Sequence, residues 1–468
     1  MRTILLYLIL LTKLLFSQNN VSTQISELLD SDFFESSQIG VSVYNLTKEK
    51  SLFSQNENML FHPASNMKIL TSAAGLKYLG ADYHFTTKVC YTGVIEDSTL
   101  TGNIYIVGGC DPDFTSSDLD SLVKGIVNYG IKEVSGNVYG DVSMLDSLFW
   151  GKGWMWDDDP STDFPYLTPL TINDNAVKII YSPGKIKKPL HVITDPDTDY
   201  FNIKNNSLTF VKDSTKLKVT RDWINRNNDL LIDGFLPYIN YPDTVRVNLY
   251  QPEKYFMHLL KKSFTENNIN VSGNFEIRNI KSETENIFTF ERSYKDVIVN
   301  LNKASDNLSA EMTLRALGNK YFGNHVSAND ALRLIDSLII CSSDKKQIYR
   351  VVDGSGVSHY NLVTADILLN VLKYFYYNEK ENYQILKNSF PIGGIDGTLK
   401  YRMIGTKAEN NVYAKTGTLS GVSCLSGYLT SDNGDEIAFS IMIQNFVGSS
   451  KTARDYHDKI CEILCNIN

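Results

Sequence analysis

Three short segments constrain this chain more than anything else in it: Ser65-Asn66-Met67-Lys68, Ser305-Asp306-Asn307 and Lys415-Thr416-Gly417. A serine hydroxyl is a weak nucleophile at neutral pH and needs a neighbouring base. Residues i and i+3 share a helix face, so a helix at the first segment would let Ser65 Oγ meet Lys68 Nζ. To accept a proton, Lys68 must be neutral, although a free lysine has a pKa of about 10.4. Burial and a second cation would lower it, and Lys415 is the obvious cation. Ser305 can relay a proton to a leaving amine, and Asn307 offers an amide to hold a substrate backbone and Lys68. Lys415-Thr416-Gly417 reads as an edge strand, where glycine would let a substrate approach the backbone. There Lys415 and Thr416 can bind a terminal carboxylate. Two backbone N–H groups, those of Ser65 and Thr418, would form an oxyanion hole. The fold must therefore gather segments from both ends of the chain.

Each segment has an ordinary reading when taken alone. Ser-x-x-Lys is a common solvated helix turn, Ser-Asp-Asn a common turn or N-cap, and Lys-Thr-Gly a common strand end. Context separates these cases. Ser65 follows Pro63 and Ala64 and precedes Ile69, Leu70, Ala73, Ala74 and Leu76, an apolar helical stripe closed by Gly80. That places the serine in a first helical turn, where the dipole favours developing negative charge. Asn307 opens a helical run from Leu308 to Leu317, with Gly318 as the expected stop. Asn411 to Ala414 predicts a strand leading into Lys415.

A chain of 468 residues is too long for one core and predicts two or three domains. Its 43% hydrophobic and 21% charged content marks a globular protein. A net charge of −8 without a basic patch argues against nucleic acid as a partner. Arg2, the apolar run Ile4 to Leu11 and the small Ser17 predict a secretory signal peptide over residues 1–17. Lys13 interrupts the apolar run, so no stable membrane span is expected after cleavage. The protein is expected to be exported. The six cysteines show no zinc spacing, the seven histidines do not cluster, and no metal or organic cofactor is implied. Cys90 and Cys110 lie on neighbouring predicted strands and could bridge in an oxidising compartment; Cys461 and Cys465 sit one helical turn apart, an awkward geometry for a bridge.

Ile39 to Asn45 alternates as a strand, turns at Thr47-Lys48-Glu49 and returns. Residues 86–141 read as two strands, a helix near Leu119 to Tyr129 and a strand; residues 244–278 read as strand, helix, strand. These two stretches share a tag, Val134-Ser135-Gly136-Asn137 and Val271-Ser272-Gly273-Asn274. It suggests an internal duplication of β-α-β units, with a four-residue coincidence as the competing reading. The segment from about Ile180 to Tyr241 has short strands and Asn/Asp turns, and reads as a small β domain. Near the carboxy terminus come a strand at Cys424 to Thr430, a strand at Ile437 to Gln444 and a helix from about Lys451 to Leu464.

The trio in this order is a recognised signature of penicillin-binding proteins and class A β-lactamases. From about residue 38 onward the chain resembles the class C low-molecular-mass penicillin-binding proteins, a D-alanyl-D-alanine carboxypeptidase/endopeptidase (S13-like) family. Further matches are Gly108-Gly109-Cys110-Asp111-Pro112, Gly153-Trp154-Met155-Trp156-Asp157-Asp158, Ala310-Glu311, Asp353-Gly354-Ser355-Gly356 and Gly394-Ile395-Asp396-Gly397-Thr398-Leu399. The long stretch between Lys68 and Ser305 supports this family over β-lactamases, which place far fewer residues there. Two departures are Cys110 in the glycine-pair turn and His359, where the family often has arginine.

The resemblance implies an α+β fold: a penicillin-binding-protein/β-lactamase-like transpeptidase domain, an antiparallel sheet with helices, carrying two inserted smaller domains. The expected division is a catalytic domain of residues 18–84 and 290–468, an inserted α/β domain of 85–179 and 242–289, and a nested small β domain of 180–241. It also implies a penicillin-sensitive serine D-Ala-D-Ala carboxypeptidase acting on peptidoglycan stem peptides in the periplasm through a Ser65 acyl-enzyme. Endopeptidase action on cross-links is a further activity of the same centre that the sequence leaves open. The catalytic set would be Ser65, Lys68, Ser305, Asn307 and Lys415. Substrate would be held by Thr416, Gly417, Thr418, Leu419, Trp154 and Asp157, with Asp157 carried over as the partner of a free side-chain amine. β-Lactams would act as inhibitors. The alternatives are a serine β-lactamase, against which stands the lack of a class A-like glutamate loop between the first two motifs, and a catalytically silent peptidoglycan-binding module. The sequence does not determine the oligomeric state.

Overall fold

The computed structural model describes residues 21–211, 215–239 and 241–468, so the expected signal peptide lies outside the described residues. The chain forms two compact units. One comprises residues up to Tyr83, Tyr294–Asp306 and Ala328–Asn468; the other comprises His84–Ser293 and Asn307–Ser327. No helix among the described residues is long and apolar enough to cross a membrane.

The first unit is built on a five-stranded antiparallel sheet. Its order is Tyr413–Leu419, Val422–Thr430, Glu436–Gln444, Gln38–Asn45 and Lys50–Gln55, so the chain ends meet at its centre. Period-2 alternation sends Val41, Val43, Leu425, Phe439 and Ile441 to one face. There they join Ala453, Ile460 and Leu464 of the Lys451–Cys465 helix in one apolar cluster. The opposite face carries Tyr428, whose hydroxyl donates to Leu372 O of the Ala365–Asn378 helix at 2.8 Å. Ser426 and Ser440 also sit opposite each other in the register and hydrogen-bond at 2.9 Å, which puts a polar pair in the middle of a buried sheet.

The second unit holds a seven-stranded mixed sheet. Its main path runs Asn270–Val271, Glu133–Val134, Thr99–Val107, His84–Glu96, Glu285–Ser293; Val138–Asp141 pairs with both Thr99–Val107 and Phe275–Ile277. The helices Ser116–Tyr129 and Pro252–Glu266 pack on it. Thr115 and Asp118 close a capping box on the first of these helices, and Gly130 ends it with a φ of 101°. Two three-stranded sheets and the Asn307–Phe322 helix also belong to the unit. Leu230, Ile232 and Leu236 from one, and Val177, Ile179 and Val247 from the other, belong to the same apolar cluster as the main sheet.

The repeated tag has a structural meaning. Gly136-Asn137 and Gly273-Asn274 lie side by side in bends that lead into paired parallel strands, and Gly102-Asn103, inside the Thr99–Val107 strand, stacks beside them as a third copy. Asn137 N donates to Asn103 Oδ1 at 2.9 Å, and Asn274 N donates to Asn137 Oδ1 at 2.8 Å. A Cβ at Gly136 would press on Gly102 O, and one at Gly273 on Gly136 O. The glycine permits close stacking of the backbones, and the asparagine satisfies the N–H that the bend leaves over. The third copy follows a strand instead of a helix, so a tag sought after helices passes over it.

Two expectations are corrected. Gly318 does not stop the helix, which runs from Asn307 to Phe322; Gly323, with a φ of 82°, supplies the left-handed turn beyond it. Cys90 and Cys110 are both free thiols, as are the other four cysteines. Alternation points Cys90 at Tyr105 and Tyr139, away from the face of Val89, so it shares a small separate cluster. Cys110 sits in a buried left-handed turn, and burial pushes its thiol up to about 12.

The ladder yields a stability prediction. Asn137→Ala removes the acceptor for the exposed Asn274 N and is expected to cost about 0.5–1.5 kcal/mol, the usual net worth of one hydrogen bond. Urea unfolding of the variant reads this directly; an unchanged midpoint would show that the ladder is dispensable.

Candidate active site

The first motif is a helix entry under strain. Ala64 has a φ of 46°, the left-handed region that L residues seldom occupy. After it, Ala64–Asn66 forms a tight 3₁₀ turn, and Met67–Ala74 continues as an α-helix whose eight residues are all buried. A helix that is covered on every side belongs in the interior of a domain. Several ties hold this entry. Phe61 and Val363 exchange backbone hydrogen bonds, and Asn66 Nδ2 donates to Ser426 Oγ at 2.7 Å. The last turn widens, and Gly75 lets the Tyr294 ring approach, the hydroxyl of which donates to Ser72 O.

Lys68 is fully buried, and its Nζ donates to Ser65 Oγ at 3.0 Å and to Ser355 O at 2.8 Å. Lys415 is also fully buried, and its Nζ donates to Ser305 Oγ at 2.8 Å and to Thr416 O at 2.9 Å. Each lysine thus holds a serine hydroxyl and a backbone carbonyl among its partners. Burial first, and the Lys68 charge second, push Lys415 well below the ordinary lysine range. Like charges in a dry site disfavour double protonation, so the pair is suited to carrying one mobile proton between two amines.

Ser305 ends a wide helical turn over Asn300–Ala304 and has a φ of 61°. This left-handed conformation accompanies the bond between its hydroxyl and Lys415. The third motif lies on the Tyr413–Leu419 strand, at the end of the sheet order, as an edge strand. Pro391 and Ile392 cover its Tyr413–Ala414 end, and no strand among the described residues pairs with the outer edge beyond. Gly417 faces the nucleophile's turn. A Cβ there would stand 2.7 Å from Pro63 O and 3.1 Å from Ser65 N. That glycine thus also admits the Ser65 turn against the strand.

A sequence model of the D-Ala-D-Ala carboxypeptidase 3 (S13) family matches residues 21–467. The chain belongs to that family. It is a serine-type carboxypeptidase. It is 28% identical over 444 residues to the D-alanyl-D-alanine carboxypeptidase of Actinomadura sp. (strain R39), covering 92% of this chain and 82% of that protein. To the D-alanyl-D-alanine carboxypeptidase DacB of Haemophilus influenzae it is 26% identical over 422 residues, covering 88% and 86%. The crystal structure of penicillin binding protein 4 (dacB) from Haemophilus influenzae shares the fold, with a TM-score of 0.81, 24% identity and coverage of 94% and 97% of the two chains.

Of the residues singled out from sequence, Ser65, Lys68, Ser305, Lys415, Thr416, Gly417, Thr418 and Leu419 all lie in the first unit. The hydrogen bonds above tie the first five together in two groups. Thr418 is exposed and Leu419 half-buried on the same strand. Asn307, Trp154 and Asp157 lie in the second unit. There Asn307 Nδ2 donates to Asp163 O at 2.6 Å. Trp154 is buried, 5.3 Å from Trp150 and 5.5 Å from Phe164 between ring centres. Asp158 caps the turn by accepting from Met155 N, while Asp157 is exposed.

Two segments do more than their sequence suggested. Asp353, almost fully buried, accepts from Gly356 N, Ser358 N and Asn361 Nδ2, which presents Ser355 O to Lys68. Thr71 Oγ1 donates to Gly354 O, and Gly356, with a φ of 88°, lies directly against Ala64 O. In the second segment, Asp396 is ion-paired with Lys303, and Thr398 Oγ1 bonds Thr416 Oγ1 at 2.7 Å. These backbone and relay roles leave no mark in residue chemistry; the available signals were a buried-looking Asp-Gly-Ser-Gly and paired glycines near Asp396. His359, the departure from the family pattern, packs its ring 5.6 Å from His62.

Gly417→Ala is expected to slow penicillin acylation by roughly 10–100-fold, because displacing a reacting group by about an ångström carries such costs. Stopped-flow acylation rates with circular dichroism as a fold control would test it. Lys415→Ala takes a positive charge from the pair, so the remaining amine should hold its proton more tightly. The acid limb of the acylation pH profile is then expected to move to higher pH. A limb that stayed in place would mean that the two amines do not sense one another.

Proposed function

We propose that Ser65 attacks the carbonyl of the penultimate D-alanine in a peptidoglycan stem peptide. The Ser65 hydroxyl proton passes to neutral Lys68 as the Oγ–C bond forms. The backbone N–H groups of Ser65 and Thr418 receive the developing oxyanion. The C–N bond then breaks, and a proton delivered through Ser305 from the buried amines leaves with the terminal D-alanine. Water hydrolyses the acyl-enzyme, with the same amines as base. Lys415 and Thr416 hold the terminal carboxylate, and Asn307 steadies the substrate backbone. The observation that carries this reading is the 3.0 Å contact of Lys68 with Ser65 beside a second buried lysine that holds Ser305 at 2.8 Å.

β-Lactams fit the same chemistry as acyl donors whose leaving amine stays tethered. A bound β-lactam is described for the Haemophilus influenzae relative. The protein is exported and works in the periplasm, with its mature chain beginning near Gln18. Asp157, with Trp154 beside it and Leu419, reads the side chain that precedes the D-alanines by pairing with a free amine. Its exposed carboxylate supports that role.

Peptide mapping of penicillin-labelled protein should find the adduct on Ser65, and Ser65→Ala should lose both labelling and D-alanine release. Lys68→Ala should slow acylation by about 10²–10⁴-fold, as expected for loss of a general base. An adduct on any other residue would sink the mechanism. Release of D-alanine beside long-lived penicillin labelling separates a carboxypeptidase from a β-lactamase, which would clear the label quickly. Asp157→Ala should lower kcat/KM by about tenfold for peptides with a free side-chain amine, about 1.4 kcal/mol for one charge-assisted contact. Penicillin acylation should stay unchanged; an equal fall in both would make Asp157 structural.

A further inference from the structure

Within the second unit, an aromatic cleft of about 400 Å³ opens between the residue 149–166 segment and the residue 222–226 loop. That volume falls in the range of small-ligand sites. Trp156 and Trp223 meet at its mouth with ring centres 5.3 Å apart and planes 31° apart. Trp156 remains 74% exposed, as does Ile224 beside it. Large apolar side chains held in water at this level mark recognition surfaces more often than core packing.

The two walls are not loose. Arg221, fully buried, is ion-paired with buried Asp159 from the opposite wall. The same guanidinium donates to Asn248 O, Asn248 Oδ1 and Asn227 O, and Tyr166 donates its hydroxyl to Asp159. The loop is closed further by Asp222, which accepts from the side-chain amides of Asn225 and Asn227 at 3.0 Å. Removing either partner of such an ion pair would leave an uncompensated buried charge, so the two walls stay joined. A well-satisfied buried network therefore clamps together two segments whose outward products are exposed indoles. A rigid, preformed aromatic surface loses little entropy when it binds.

We propose that this cleft binds the sugar strand of the cell-wall polymer, an N-acetylated β-linked glucosamine chain. The inference rests on peptidoglycan being the substrate, as proposed above. A pyranose ring with equatorial substituents has apolar C–H faces and a polar rim. The indole faces of Trp156 and Trp223 match the faces, and the exposed guanidinium of Arg226 at the cleft matches hydroxyl and acetamido oxygens. An unbranched hydrocarbon would leave Arg226 unused, and an anionic ligand would meet only one cation. The cleft would keep the enzyme on the polymer between peptide cleavages.

The test uses the whole protein with tetra-N-acetylchitotetraose as probe in isothermal titration calorimetry. The wild type should bind it saturably. Trp156→Ala and Trp223→Ala should each weaken binding tenfold or more, and Trp156→Tyr, which keeps a ring, should restore most of it. Both alanine variants should release D-alanine from a free, sugar-less peptide and react with penicillin at wild-type rates, while turnover of intact sacculi falls. Unsaturable binding by the wild type, or equal binding by the alanine variants, overturns the inference. Because the calorimetry reads no turnover, a wild type that bound the sugar but hydrolysed no peptide would overturn the function proposed above, not the cleft.

Discussion

Two fully buried lysines, one of which feels the charge of the other, impose the demand that the rest of the first unit meets. An ammonium removed from water costs several kcal/mol, and two near each other cost more through repulsion. Lys68 and Lys415 are nevertheless fully buried, and each is satisfied by a serine hydroxyl and a backbone carbonyl. Hydroxyls and carbonyls are neutral acceptors, which leave an amine able to take and return a proton. The suppression of Lys415 below the usual lysine range, through burial and then the Lys68 charge, is the expected signature.

Keeping those acceptors in place explains much of the local backbone. Ala64 and Ser305 occupy left-handed conformations, and Gly356 and Gly417 stand where a Cβ would strike the nucleophile's turn. Asp353 spends its carboxylate on the loop that offers Ser355 O, and Asp396 ties the Ser305 turn through Lys303. Strain at such positions persists only where the surroundings over-determine it. Here a buried helix, the Asn66–Ser426–Ser440 chain of hydrogen bonds and an edge strand together do so. The scaffold around the site is consequently polar in places where a sheet core is usually apolar.

The second unit follows a different economy. Its sheet is extended by stacking three Gly-Asn pairs, with Asn103 and Asn137 each closing the backbone of the next pair. Its other rigid feature, the Arg221–Asp159 network, supports exposed tryptophans. In both cases a few well-satisfied polar groups fix geometry that apolar packing alone leaves free to slip.

The sequence by itself determined the reacting groups and most elements around them. Ser-x-x-Lys spacing on an apolar stripe implied a helix carrying nucleophile and base on one face, and alternation implied the strands at Ile39 to Asn45, Cys424 to Thr430 and Ile437 to Gln444. Both follow from local periodicity, which a chain carries in its residue order. Tertiary structure alone decided which carbonyl each lysine bonds, because Ser355 O and Thr416 O are backbone atoms present in any sequence. It decided that Gly417 faces the Ser65 turn, and that Gly323, not Gly318, ends the helix after Asn307, since steric fit depends on what packs nearby. It also left Cys90 and Cys110 unbridged by sending their side chains to different surroundings, and joined Trp156 to Trp223 through a buried ion pair between residues far apart in the chain. Such outcomes depend on which surfaces meet, and that is settled only when the elements pack.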